Sequence, residues 1–67
     1  MTGQHAGFYW FRDGDIVRIY NNPEKFGALV HEYNVKGVID DDLEQLMAQR
    51  IDADWEKLIE LDRKRNP

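Results

Sequence analysis

The sequence predicts a small α+β domain in the order β-β-α-α, a β-hairpin followed by a short helix and a long C-terminal helix. Three observations carry this. Residues 7–20, GFYWFRDGDIVRIY, hold two runs of aromatic and β-branched residues on either side of Asp13-Gly14, a dipeptide favoured in tight hairpin turns. Phe26, Leu29, Val30 and Tyr33 recur at i, i+3, i+4 and i+7, the period of one helical stripe. Behind Asp40-Asp41-Asp42, apolar residues keep helical spacing from Leu43 to Ile59, and carboxylates suit the positive end of a helix dipole.

The hairpin comes first. With Asp13-Gly14 as a two-residue loop, Trp10 faces Val17 and Phe8 faces Ile19. Side chains alternate across a strand, so Phe8, Trp10, Val17 and Ile19 share one apolar face, the expected core. The opposite face carries Tyr9, Phe11, Ile16, Arg18 and Tyr20. Aromatic residues and arginine are the types enriched at binding hot spots, which makes this set the candidate partner-binding surface.

A helix is expected next, over residues 23–34. Asn22 is a good N-cap, Pro23 fits the first helical position, and Glu24 complements the dipole. Asn34 and Gly37 supply the stop. This helix should lie on the Trp10 face, with His31 on its polar side as plain surface.

The last helix is expected over 41–64, with Asp41 and Glu44 in a capping-box pattern. Leu43, Leu46, Met47, Ile51, Trp55, Leu58 and Ile59 form its stripe. Such a helix is about 36 Å long, whereas six-residue strands span about 20 Å. Either the helix breaks near Asp52, with Asp52 or Asp54 as a second N-cap, or Trp55, Leu58 and Ile59 pack on another molecule as an oligomer contact. The unbroken stripe favours one helix. Residues 1–6 read as a flexible N-terminal arm, 7–64 as the domain, and 65–67 as a basic tail.

Composition limits the function. The chain has 67 residues, no cysteine and two histidines, His5 and His31. One domain is all this length allows, and its core is marginal without staples. With no thiolate and widely separated imidazoles, no zinc set forms. Counted from Asp40, the sixth and twelfth residues are Gln45 and Ile51, not the Gly and Glu of a calcium loop. The expectation is no metal and no cofactor. No apolar run approaches the roughly 20 residues of a membrane span, and the first residues lack the pattern of a secretory signal, so a cytoplasmic protein is expected.

Catalysis is not expected either. Serine and cysteine are absent, and the one threonine is Thr2. Paired carboxylates need a desolvated pocket to separate their pKa values, and a domain of this size has little room for one.

Charge is unevenly placed. Residues 1–39 balance four acids with four bases, residues 40–62 set nine acids against Arg50 and Lys57, and Arg63-Lys64-Arg65 follows. Asp52, Asp54, Glu56 and Glu60 therefore form a candidate acidic surface, able to steer towards a basic or nucleic-acid-binding protein.

The layout strand 15–20, helix 23–34, turn, helix from 41 resembles that of ribbon-helix-helix repressors, with Arg18 pointing from the strand. The resemblance implies that the start of the second helix meets DNA phosphate. Here that start is three aspartates, which repel phosphate, and no cluster of Lys and Arg precedes the tail. The expected function is thus protein–protein interaction by an adaptor or inhibitor, of the kind found among small phage or mobile-element accessory proteins. Partner contact runs through the acidic helix or the aromatic hairpin face, with no direct nucleic acid and no membrane. A dimeric DNA-binding regulator, a homodimer and a structural subunit of a larger assembly are the alternatives.

Overall fold

A computed structural model of the chain describes residues 1–21 and 29–65. The architecture is α+β: a four-stranded antiparallel sheet followed by two helices. The strands are β1 (Thr2–His5), β2 (Phe8–Asp13), β3 (Ile16–Tyr20) and β4 (Leu29–Asn34), and the helices are α1 (Asp40–Ala53) and α2 (Trp55–Arg65). The strands lie side by side in chain order.

The central hairpin β2–β3 forms as expected, with its loop displaced by one residue. Asp13 pairs with Ile16, so the loop is Gly14-Asp15. Gly14 takes a φ of +62° and Asp15 does not share the positive sign, the pattern of a turn with glycine at its first central position. Glycine adopts this conformation without the steric cost that a Cβ brings. The displacement changes every cross-strand partner by two positions, from Trp10–Val17 to Trp10–Ile19. Two is the side-chain period of a strand, so both faces keep their membership.

Phe8, Trp10, Val17 and Ile19 are all buried, as the alternation predicted. They meet Val30 of β4, Val35 of the β4–α1 connection, Leu43, Met47 and Ile51 of α1, and Leu58 of α2 in one cluster. Both helices therefore cover the same face of the sheet, α1 over β1 and α2 over β4.

Two expectations are corrected by the strands at the sheet's edges. Residues 2–5, read as part of a flexible arm, form β1 in register with β2, Gly3 opposite Trp10 and His5 opposite Phe8. Residues 29–34, read as the second half of a short helix, form β4; residues 22–28, with the proposed cap at Asn22 and Phe26 of the stripe, lie outside the described residues. The helical spacing of Leu29, Val30 and Tyr33 has a different cause. β4 slips register against β3 between Ile19 and Tyr20, leaving Val30 as the extra residue of a bulge. A bulge turns one more side chain inward than alternation allows, so Val30 and Tyr33 both face the helices. His31, expected as plain surface, is half-buried on that side, edge-on to the Tyr33 ring at 4.9 Å. With a strand at 29–34, and β3 paired on both sides, the ribbon-helix-helix order is not formed.

The long helix also divides. α1 ends at Ala53 and α2 begins at Trp55. Asp54 closes one and opens the other: its N–H donates to the Arg50 carbonyl at 2.9 Å, and its carbonyl accepts from Leu58 N–H at 2.8 Å. The bend lays α2 back across the sheet and buries Leu58 completely. The mismatch between helix length and strand length is thus resolved within one chain. At the other end, α1 follows Ile39 with no side-chain cap, so the capping box expected from Asp41 and Glu44 does not form.

Candidate functional site

Because both helices lie on one face, no described helix or strand covers the other. That outer face is built from every second residue of the sheet. Tyr9 stands opposite Tyr20, Phe11 opposite Arg18, and Asp13 opposite Ile16. Across the next ladder Arg18 faces Glu32 and Tyr20 faces Leu29. Thr2 and Gln4 continue the face onto β1, opposite Phe11 and Tyr9. All five residues expected to bind a partner, Tyr9, Phe11, Ile16, Arg18 and Tyr20, are therefore brought together here, each half-buried.

Arg18 is the electrostatic centre of this face. Its Nη1 donates to Asp13 Oδ2 at 3.0 Å, and its Nε lies 3.4 Å from Glu32 Oε2. The Asp13 hydrogen bond is the main cause that pushes the guanidinium above its ordinary pKa; desolvation opposes it, and the Asp13 and Glu32 charges assist. The two carboxylates flank the guanidinium on a face it shares with Tyr9, Phe11, Ile16 and Tyr20. Among the described residues, the result is an apolar and aromatic surface on which the Arg18 cation is internally balanced. Glu32 escaped sequence reading because its place beside Arg18 depends on residues 29–34 being a strand.

Several of the acidic residues have partners of their own. Asp54, half-buried, accepts a hydrogen bond from the Tyr33 hydroxyl at 2.7 Å, which pins the junction of α1 and α2 to β4. Burial first, and then this hydrogen bond, push the Tyr33 phenol well above its ordinary pKa. Asp52 meets His5 Nε2 at 2.8 Å, tying α1 to β1. Asp40 accepts from Arg12 Nη1 at 2.9 Å, while Arg12 Nε donates to the Gly14 carbonyl at 2.8 Å, so one arginine joins the hairpin turn to the start of α1. Asp62 accepts from Asn21 at 2.5 Å, and Glu60 lies 3.6 Å from Lys64. Of the predicted acidic surface, Glu56 and Glu60 stand exposed on α2 and Asp52 stays mostly exposed beside His5.

The charge separates by helix. α1 sets Asp40, Asp41, Asp42, Glu44 and Asp52 against Arg50, whereas α2 sets Glu56, Glu60 and Asp62 against Lys57, Arg63, Lys64 and Arg65. The negative potential belongs to α1, with Asp41, Asp42 and Glu44 exposed at its start.

The candidate oligomer contact is likewise dispersed. Leu58 is in the chain's own core, Ile59 packs against that core, and Trp55 is 40% exposed, its ring edge-on to Phe8 at 5.5 Å. Among the described residues, no three His, Asp or Glu side chains come together in a set that could hold a metal ion. No described helix is long and apolar enough to cross a membrane. Comparison with protein-family models, with curated proteins and with solved structures finds no match to this chain.

Proposed function

We propose that this chain is a small protein-interaction module, an adaptor or inhibitor, that engages its partner through the outer face of its sheet. The observation that supports this is the placing of both helices on one side, while Tyr9, Ile16, Arg18 and Tyr20 stand together on the other. Aromatic side chains give large contact area at low entropic cost. Arg18 is already paired with Asp13 and Glu32, so a partner meets the guanidinium without having to supply a counter-charge. The acidic start of α1 adds steering and is secondary, because rim charges set association rate more than affinity. In this reading the module works by contact, in the cytoplasm, without a cofactor.

The experiment uses three baits in lysate of the source cells: the wild-type chain, Tyr9→Ser/Ile16→Ser, and Asp41→Asn/Asp42→Asn/Glu44→Gln. Circular dichroism first establishes that all three are folded. A protein captured by the wild type and by the helix variant, and lost by the sheet-face variant, is the expected result. Capture that survives in the sheet-face variant and disappears in the helix variant would transfer the function to α1.

A further inference from the structure

The outer edge of β2 is a strand-accepting site with an unusual demand. The Trp10 indole lies against Gly3 on the neighbouring β1, so closely that a Cβ at position 3 would run into the ring. Any strand on this edge must therefore offer no side chain opposite Trp10. β1 meets that demand and brings little else. Its inward residues are Gly3 and His5, and it contributes nothing to the buried apolar cluster. It is held by its backbone ladder, by Arg12 N–H donating to the Met1 carbonyl at 2.9 Å, and by His5 with Asp52.

The link between β1 and β2 is strained. His5 pairs with Phe8, leaving Ala6-Gly7 as a two-residue loop. Both residues have positive φ, +51° at Ala6 and +87° at Gly7. This is the turn that favours Asn-Gly or Asp-Gly, and alanine is a poor occupant because its Cβ crowds the backbone in the left-handed region. Short hinges under strain favour exchange of the element they carry.

We propose that β1 exchanges between two copies of this chain, the β1 of each copy lying on the β2 edge of the other. The second copy is the fitting occupant because its Gly3 reproduces the gap that Trp10 requires. Its His5 likewise reproduces the contact with Asp52. Every native pairing is kept, no apolar side chain leaves the core, and Ala6 is released from its positive φ. A straightened two-residue hinge cannot keep the two copies equivalent, since side chains alternate along the strand; the bend falls to Gly7, which tolerates either sign of φ.

The chain has no cysteine, so introduced thiols give a clean test. A Gln4→Cys chain and a longer, tagged Tyr9→Cys chain are refolded together at high concentration and oxidised. Gln4 and Tyr9 are register partners, so exchange yields a disulfide between the two chains, while Gln4→Cys with Lys36→Cys stays unlinked. No disulfide above that control overturns the proposal. In a second test on a Trp55→Phe background, which leaves Trp10 as the only indole, Ala6→Pro excludes the tight turn because proline fixes φ near −65°. The expected result is a dimer by sedimentation with Trp10 emission unchanged, while Ala6→Asn shifts the population to monomer. A monomeric Ala6→Pro chain with red-shifted Trp10 emission means that β1 has detached without exchanging, and it overturns the proposal. If Ala6→Pro does not fold, the disulfide test decides alone.

Discussion

The two edges of this sheet are held by opposite means. β4 is held by what its side chains add: Val30 enters the core through a bulge, and Tyr33 reaches Asp54 between the helices. β1 is held by what its side chains leave out, because Gly3 makes room for Trp10 to lie on the backbone. A polar contact ties each edge to the helical layer, Tyr33–Asp54 at 2.7 Å for β4 and His5–Asp52 at 2.8 Å for β1. The Asp54 tie is half-buried, whereas Asp52 is 67% exposed. Edge strands carry unpaired backbone groups that have to be managed, and this molecule manages one by anchoring and the other by thinness.

The contrast can be tested by changing one side chain at a time. Val30→Ala removes buried apolar surface from β4 and should cost about 2 kcal/mol in urea unfolding. Gly3→Ala applies the reverse operation to β1, adding a methyl group where the indole lies; it should cost about 1–3 kcal/mol through overpacking, with Trp10 emission shifting to the red. If Gly3→Ala is neutral, β1 is not held by the gap and the contrast fails.

Tyr33→Phe keeps the ring against His31 and deletes only the hydroxyl. A loss of about 1.5–3 kcal/mol is expected, as for a hydrogen bond to a charged group. The Tyr33 pKa is raised in the fold above its unfolded value near 10. Its stabilisation is therefore fully present below about pH 10 and is lost as pH rises above that value towards the folded pKa. The wild type should weaken over that alkaline range, and Tyr33→Phe should lose this part of the pH dependence.

Ala6→Asn should act in the other direction, stabilising the closed chain by up to about 1 kcal/mol by easing the left-handed position. His5→Ala should change stability least, by about 0–1 kcal/mol, because an exposed polar contact contributes little. A loss from His5→Ala as large as that from Tyr33→Phe would make the two ties equivalent and erase the difference between the edges.

The centre of the sheet was far more legible than its edges. β2 and β3 announce themselves by alternating aromatic and branched residues, and their face assignment survived a displaced loop because the displacement kept the parity. The candidate face at Tyr9, Phe11, Ile16, Arg18 and Tyr20 was legible for the same reason. β1 was not, since Thr2-Gly3-Gln4-His5 has neither apolar alternation nor β-branched content beyond Thr2. β4 was misread because a bulge brings Val30 and Tyr33 to one face at the spacing of a helix turn. Asp13 and Glu32, which frame Arg18, could not be found before the loop position and β4 were known.

What this sequence determined by itself is what depends on local pattern: an α+β domain, a core of Phe8, Trp10, Val17 and Ile19, an aromatic outer face around Arg18, and helix from residue 41 onward. Periodicity and turn chemistry act over a few residues, and they are readable wherever one face of an element is uniformly apolar. Only the tertiary structure decided the rest. It made a strand of residues 29–34, since β3 offered a ladder and the core needed Val30. It bent the helix at Asp54, where Tyr33 was waiting across a gap of 21 residues. It also recruited four nearly featureless residues as β1, because Trp10 needed a flat backbone to lie against.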